Sequence, residues 1–317
     1  MPVGSCHGRN VLAIVAPGQG AQKPGMLSSW LELDGAADTL TQMSDRAHLD
    51  LTRLGTEAPA EEIKDTAVTQ PLVVASALLA ARYLRIPSIA AVAGHSVGEL
   101  AAASLAGVLS DLDAVGLAGV RGQAMGAACA LTPTGMSAVM GGNTDDVLAA
   151  LEELDLVGAN VNGGGQIVAA GPLDALDQLK ANPPQGVRII PLPVAGAFHT
   201  SFMASAEHAL RQHVAGLTPD DPTHVLLTNA DGTVIGNGAS YLQLLVAQVT
   251  HPVRWDQCMQ TLANLGVTGV LELPPAGTLV GLVKRDLKGV ATMALKTPAD
   301  LDAAAAFAAE HAGVKQA

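Results

Sequence analysis

The chain has 317 residues, 49% of them hydrophobic, enough to bury a large core in one big domain or two unequal ones. Its 17 basic and 29 acidic side chains give a formal charge of −12 without any basic stripe, and only 2% of residues are aromatic. Nucleic acid and anionic membrane are therefore poor partners, and the core must be mostly aliphatic.

Cys6, Cys129 and Cys258 lie far apart and fit neither a disulfide framework nor a zinc spacing, so no metal is expected. A reducing cytoplasm is the simple reading. The apolar run at 11–16 is too short for a signal-peptide core, and no uncharged segment is long enough to span a bilayer.

In chain order, "NVLAIVAPGQG" (10–20) predicts a buried strand ending in a turn, and 27–65 short helices and loops. Residues 69–86 predict a helix with Pro71 in its first turn. "SIAAVAG" (88–94) predicts a second buried strand that runs straight into the helical "HSVGELAAASLAGVL". A helix follows at 111–131, with Asp111 and Asp113 at the positive end of its dipole. The rhythm then changes. Strand 135–142, helix 144–154 with a Thr cap, strands "LVGANVN" and "GQIVAAG", helix 172–181 and strand 186–194 give the order β-α-β-β-α-β of a ferredoxin-like unit. This predicts a small subdomain over 132–195 inserted between 1–131 and 196–317. Helix 200–216, strand "THVLLTN", helices 239–248 and 254–264, strand 266–275, helix 277–287 and a terminal helix complete the chain.

Ser96 can be read in two ways. With Glu99 it spells S-x-x-E, a helix cap. With Gly94 and Gly98 it spells G-x-S-x-G, a nucleophile elbow, and the strand–turn–helix setting favours that reading. A serine nucleophile needs a base and oxyanion donors, and the amide of Val97 at the helix start is one such donor. Of nine histidines, His7, His48 and His311 fall in poorly patterned or terminal segments, and His208 and His213 on an exposed helix. His95 adjoins the serine but points away from it. The candidates taken forward are His199, in a small-residue loop, and His251, before a proline. Arg121 is the only charge between Ala114 and Thr144, on an apolar helix. Such a guanidinium needs an anion, either an acidic side chain of the protein or a carboxylate on the substrate. An ordinary serine hydrolase, with Asp231 and His251 following Ser96 in chain order, is the rival enzyme reading. A non-catalytic carrier-docking protein is the other.

The ordered motifs "APGQGAQKPGM" (16–26), "TQP" (69–71), "GHSVGE" (94–99), "RGQAM" (121–125), "NVNGGGQIVAAG" (160–171), "GAFH" (196–199), "QVTHPVRW" (248–255) and "TLVGLVKR" (278–285) resemble the malonyl-CoA:acyl-carrier-protein transacylases of type II fatty acid or polyketide synthesis. The resemblance implies an α/β fold, with an α/β-hydrolase-like core and the inserted ferredoxin-like subdomain. It implies Ser96 as acyl-accepting nucleophile, His199 as its base and the main-chain carbonyl of Gln248 as the histidine's partner. It implies an oxyanion hole from the amides of Gln19 and Val97, and Arg121 as ligand of the malonyl carboxylate. Asn160, Asn162, Gln166 and Phe198 are then site-lining residues, with "GAFH" similar to the motif of malonyl-selective domains. It further implies malonyl-CoA and an acyl carrier protein bearing phosphopantetheine as partners, no cofactor of the enzyme's own, and a cytoplasmic monomer. Arg188, Arg254, Lys284, Arg285 and Lys288 are the basic candidates for carrier docking. His251, in place of a frequent asparagine, and "LPPAGT" (273–278), in place of a glycine-rich turn, depart from the pattern.

Overall fold

The computed structural model describes residues 10–312; Cys6, His7 and residues 313–317 lie outside them. The first strand, β1 (Leu12–Ala16), is buried throughout. Helices α1 (Ala36–Ala47), α2 (Leu51–Thr56), α3 (Ala60–Ile63) and α4 (Thr66–Ala81) follow. The last of these corrects the expected start. The Asp65 side chain accepts the Ala67 amide and begins α4 earlier in the sequence than expected, so Pro71 falls inside the helix. Strand β2 (Ala91–Gly94) leads through a sharp turn to α5 (Gly98–Leu105), and α6 (Asp111–Cys129) is capped by the Ser110 side chain.

The next stretch runs β3 (Thr134–Met140), α7 (Thr144–Glu152), β4 (Val157–Gly163), β5 (Gln166–Pro172), α8 (Leu173–Ala181) and β6 (Arg188–Pro191). The cap of α7 is Asn143, not Thr144: its side chain accepts the amides of Asp145 and Asp146, which a residue already inside the helix cannot do. Then come α9 (Ala204–Val214), β7 (Val225–Leu227), β8 (Val234–Ile235), α10 (Gly238–Ala247), β9 (Val253–Arg254), α11 (Trp255–Asn264), β10 (Gly269–Glu272), α12 (Thr278–Asp286), β11 (Ala291–Ala294) and α13 (Leu301–His311).

Two sheets form, a mixed α/β architecture. One has six strands in the order β11-β10-β1-β2-β7-β8, parallel except for the last pair. Alternate residues of its central strands face opposite ways. Leu12, Ile14 and Val92 join a core built with α1, α4, α5 and α6, whereas Ala13, Val15 and Ala93 join one built with α11 and α12. Burial on both faces explains why these strands read as unbroken apolar runs. The other sheet has the order β6-β3-β5-β4-β9 and buries Val139, Val161 and Ile167 against Val147 and Leu151 of α7 and Leu176 and Leu179 of α8.

β8, β9 and β11 are not expected from the sequence; β8 and β9 have two residues each, too few to show a period. β9 matters most. It comes from far outside the segment 132–195, yet it pairs in parallel with Asn160 and Val161 of β4, so the second sheet includes a strand from the other part of the chain.

One buried carboxylate ties the end of "LPPAGT" to the helix that follows. Glu272, fully buried at the end of β10, accepts the amides of Gly277, Leu279 and Val280 at 2.9–3.0 Å. Its carboxylate thus caps α12, whose Thr278, Leu279 and Leu282 wall the cleft described below. Glu272→Ala strands those amides and is expected to cost about 2–3 kcal/mol in stability, read by urea denaturation.

Candidate active site

The turn between β2 and α5 is the centre of the site. Ser96 sits at φ +53°, a left-handed conformation that a non-glycine residue holds only when its surroundings impose it. The flanking glycines make room for the tight turn. A Cβ on Gly94 would overlap the backbone of Gly98, and one on Gly98 would run into the carbonyl oxygens of Ala16 and Pro17. Hydrogen bonds complete the clamp. The Ser96 amide donates to Asn229 Oδ1 at 2.7 Å, and Asn229 Nδ2 donates to the Gly94 carbonyl at 2.7 Å. The capping reading of Ser96 is set aside, because α5 has no side-chain cap and the serine hydroxyl points elsewhere. Nor does Glu99 reach back to the Ser96 amide, which Asn229 holds. It is 1% exposed and turned inward.

Ser96 Oγ lies 2.8 Å from His199 Nε2, and His199 Nδ1 lies 2.8 Å from the main-chain oxygen of Gln248. A carbonyl only accepts, so Nδ1 carries the proton and the Nε2 lone pair faces the serine. Burial and then the charge of Arg121 push the His199 imidazolium down to about 3, so the ring stands neutral, ready to take a proton. His251 is exposed and turned to the Ala247 carbonyl at 2.8 Å, while Asp231 accepts from Thr233 within its own turn. The structure therefore brings His199, not the Asp231–His251 pair, to the serine.

Arg121 projects from the middle of α6 and is 3% exposed. Its Nη1 donates to Gln70 Oε1 at 2.7 Å, and its Nη2 to Gln248 Oε1 at 2.8 Å and to Ser96 Oγ at 3.3 Å. Each of these acceptors is neutral, and among the described residues the guanidinium forms no salt bridge. The choice left open by the sequence thus goes against a structural ion pair. Burial draws its pKa down to about 10, opposed by the charge of Glu99, so it stays cationic at neutral pH. Gln70 escapes a reading by residue type; the sign in the sequence is a lone amide in the apolar face of α4, beside Pro71.

A cleft of about 430 Å³ opens onto Ser96, Arg121 and His199, lined by Gln19 from the large-sheet side and by Asn160 and Asn162 of β4, with Gln166 and Phe198. All the predicted lining residues are thus brought together. Asn162 Oδ1 faces His95 Nε2 at 2.8 Å, and the His95 ring stands edge-on to Trp255 at 5.7 Å. Gln166 accepts from Arg285 at 3.3 Å. The amides of Gln19 and Val97 meet no acceptor among the described residues. Of the basic candidates, Arg254 is paired with Asp256 at 2.8 Å, whereas Arg188, Lys284 and Lys288 are exposed. Among the described residues, no three metal-ligating side chains cluster, and no helix is long and apolar enough to cross a membrane.

A serine on a strained turn, a neutral histidine oriented by a carbonyl and a buried cation beside both can carry acyl transfer through a covalent serine ester. Comparison with known proteins agrees. The acyl transferase domain model matches residues 14–308. The malonyl CoA-acyl carrier protein transacylase of Mycobacterium tuberculosis is 54% identical over 297 residues, 92% of this chain and 98% of that protein. The crystal structure of MCAT from Mycobacterium tuberculosis superposes with a TM-score of 0.90 at 53% identity, covering 93% of this chain and 99% of the other. A type II PKS acyl-carrier protein in complex with its malonyl-transacylase gives 0.85 at 28% identity over 93% and 99%. The chain belongs to the acyl transferase family and, within it, to the malonyl CoA-acyl carrier protein transacylases.

The low His199 value has a kinetic consequence. Acidification removes the base only on passing that value, so kcat/KM should stay level as pH falls through about 6.5, the ordinary histidine value. Arg121→Ala, which removes one cause of the depression, should move the acid limb to higher pH. An inflection at the ordinary value in the unaltered enzyme would contradict this electrostatic picture.

Proposed function

We propose that this protein transfers a malonyl group from malonyl-CoA to the phosphopantetheine thiol of an acyl carrier protein, in two half-reactions through a malonyl-serine. The observation that carries this reading is Arg121, a buried guanidinium held by neutral acceptors 3.3 Å from the serine hydroxyl. A site of that kind favours an acyl group that brings its own carboxylate. The names of the relatives, and the carrier protein bound to one structural neighbour, support the same assignment.

In the first half-reaction Ser96 Oγ attacks the thioester carbonyl carbon while its proton passes to His199 Nε2. The Gln248 carbonyl holds the ring through Nδ1–H and eases the imidazolium that forms, though less than a carboxylate would. The oxyanion is received by the amides of Gln19 and Val97. The C–S bond breaks, the CoA sulfur takes the proton from His199, and malonyl-Ser96 remains. In the second half-reaction the carrier thiol gives its proton to His199 and attacks the ester, and Ser96 Oγ leaves with that proton. Arg121 anchors the malonyl carboxylate throughout, with Asn160, Asn162 and Gln166 lining the way in. Phe198 crowds the position of an α-methyl branch. No cofactor is needed, since each substrate brings its own thiol carrier.

The scaffold for this is read as an α/β-hydrolase-like body with a ferredoxin-like insertion over 132–195. Supporting the insertion are the order β3-α7-β4-β5-α8-β6 and the strand sequence β6-β3-β5-β4. Arg188, Lys284 and Lys288 stay candidates for meeting an acidic carrier, and the protein is read as a cytoplasmic monomer.

Arg121→Ala should lose malonyl transfer by roughly thirtyfold or more in kcat/KM, in line with a loss of about 2–5 kcal/mol for a desolvated charge partner, and keep or gain acetyl transfer. An unchanged malonyl-to-acetyl preference would remove Arg121 from its role. The malonyl-enzyme should decay faster to a carrier thiol than to water; the reverse partition would make the protein a hydrolase of anionic thioesters.

A further inference from the structure

Beneath the serine lies a carboxyl group that the mechanism above does not use. Glu99 Oε1 accepts the Asn229 amide at 2.7 Å, and Oε2 accepts Gln248 Nε2. The other end of the same Gln248 side chain, Oε1, accepts from Arg121 at 2.8 Å. One carboxamide therefore stands between the buried carboxyl and the buried guanidinium.

The chemistry of that carboxamide fixes its orientation. A guanidinium has donors only, so Gln248 must offer it an oxygen. The NH2 end then needs acceptors, and it has Glu99 Oε2, the Ser96 carbonyl at 3.2 Å and Asn229 Oδ1 at 3.3 Å. Replacing the Glu99 oxygen by a donor would oppose NH2 to NH2 and favour the flipped amide, which presents NH2 to Arg121. The guanidinium would then lose an acceptor that holds it beside Ser96 Oγ.

The structure assigns Glu99 as a positioning residue for acyl-group selection: acting through the Gln248 side chain, it orients Arg121 toward the carboxylate of the incoming acyl group. This rests on the reading of Arg121 given above. Asn229 serves two ends of the site at once, since it holds both Glu99 and the Ser96 amide.

The surroundings of Glu99 are short of charge. Arg121 of α6 is the cation that faces it; the Tyr241 hydroxyl of α10 donates to its main-chain oxygen at 3.4 Å, and Cys258 of α11 is a buried thiol held neutral by burial. His199 and His95, the other titratable groups of the site, are both shifted down by burial. Burial raises the Glu99 carboxyl, and the donors at Asn229, Tyr241 and Gln248 and the charge of Arg121 oppose the rise.

Two measurements test this. Glu99→Gln, checked for an intact fold by thermal melting, should lower the malonyl-to-acetyl ratio of kcat/KM by about tenfold, the scale of coupling within a buried polar network. A loss of general structural support would lower both substrates together and leave the ratio unmoved, which overturns the inference. Should the variant fail to fold, Glu99→Asp decides: it keeps the carboxylate but draws it back from Gln248 Nε2, so the malonyl-to-acetyl ratio should again fall, and an unmoved ratio overturns the inference. Arg121→Ala separates the two readings: if it keeps the malonyl preference, the assignment of Arg121 fails; if it loses the preference while Glu99→Gln keeps it, only the role of Glu99 fails.

Discussion

The rest of the site depends on one guanidinium buried without a salt bridge. Arg121 is 3% exposed, and the acceptors that reach it are amide oxygens and a hydroxyl. Desolvating a full charge is expensive, and neutral acceptors repay only part of that cost. The site therefore holds an unmet demand for an anion, a few ångströms from the nucleophile. The same charge helps keep His199 neutral until the reaction needs a proton acceptor. A bound carboxylate answers the first demand and lifts the second effect, so substrate charge and base strength are coupled in one place.

Around that charge the fold supplies rigidity rather than more chemistry. The left-handed Ser96 sits in a turn that packs on β1 because Gly98 lacks a Cβ, and it is held by Asn229 just after β7 and by Gln248 just after α10. Gln248 works through both its parts. Its main-chain oxygen sets the histidine tautomer, and its side chain holds Arg121. The wall facing the serine comes from the second sheet, where β9 ties a distant part of the chain to Asn160 and Val161. Charge, nucleophile and cleft thus share a few rigid elements, which is the arrangement that precise acyl transfer requires.

What the sequence made legible follows from how local each signal is. The elbow is a five-residue pattern between a strand and a helix, and its glycines are required by contacts that any sequence with that turn would make. His199 and Gln248 are not local to Ser96, and residue type alone left His199 level with His251; only the ordered motifs separated them. The β-α-β-β-α-β rhythm was visible because most of its elements are seven to nine residues long, whereas β8 and β9, of two residues each, were too short. Gln70, Asn229 and the inward turn of Glu99 were hidden for a different reason. Neutral amides carry no charge signal in a sequence, and an acid in the first turn of a helix has a plain solvent-facing explanation until its burial is seen.

The central claim is that a buried cation makes Ser96 prefer an acyl group bearing a carboxylate. The most direct measurement offers the enzyme malonyl-CoA and acetyl-CoA in equal amounts, quenches it, and maps the acylated peptide by mass spectrometry. Malonyl is expected on the peptide carrying Ser96, with no adduct in Ser96→Ala. Acetyl in excess on that serine, or malonyl on another residue, would contradict it.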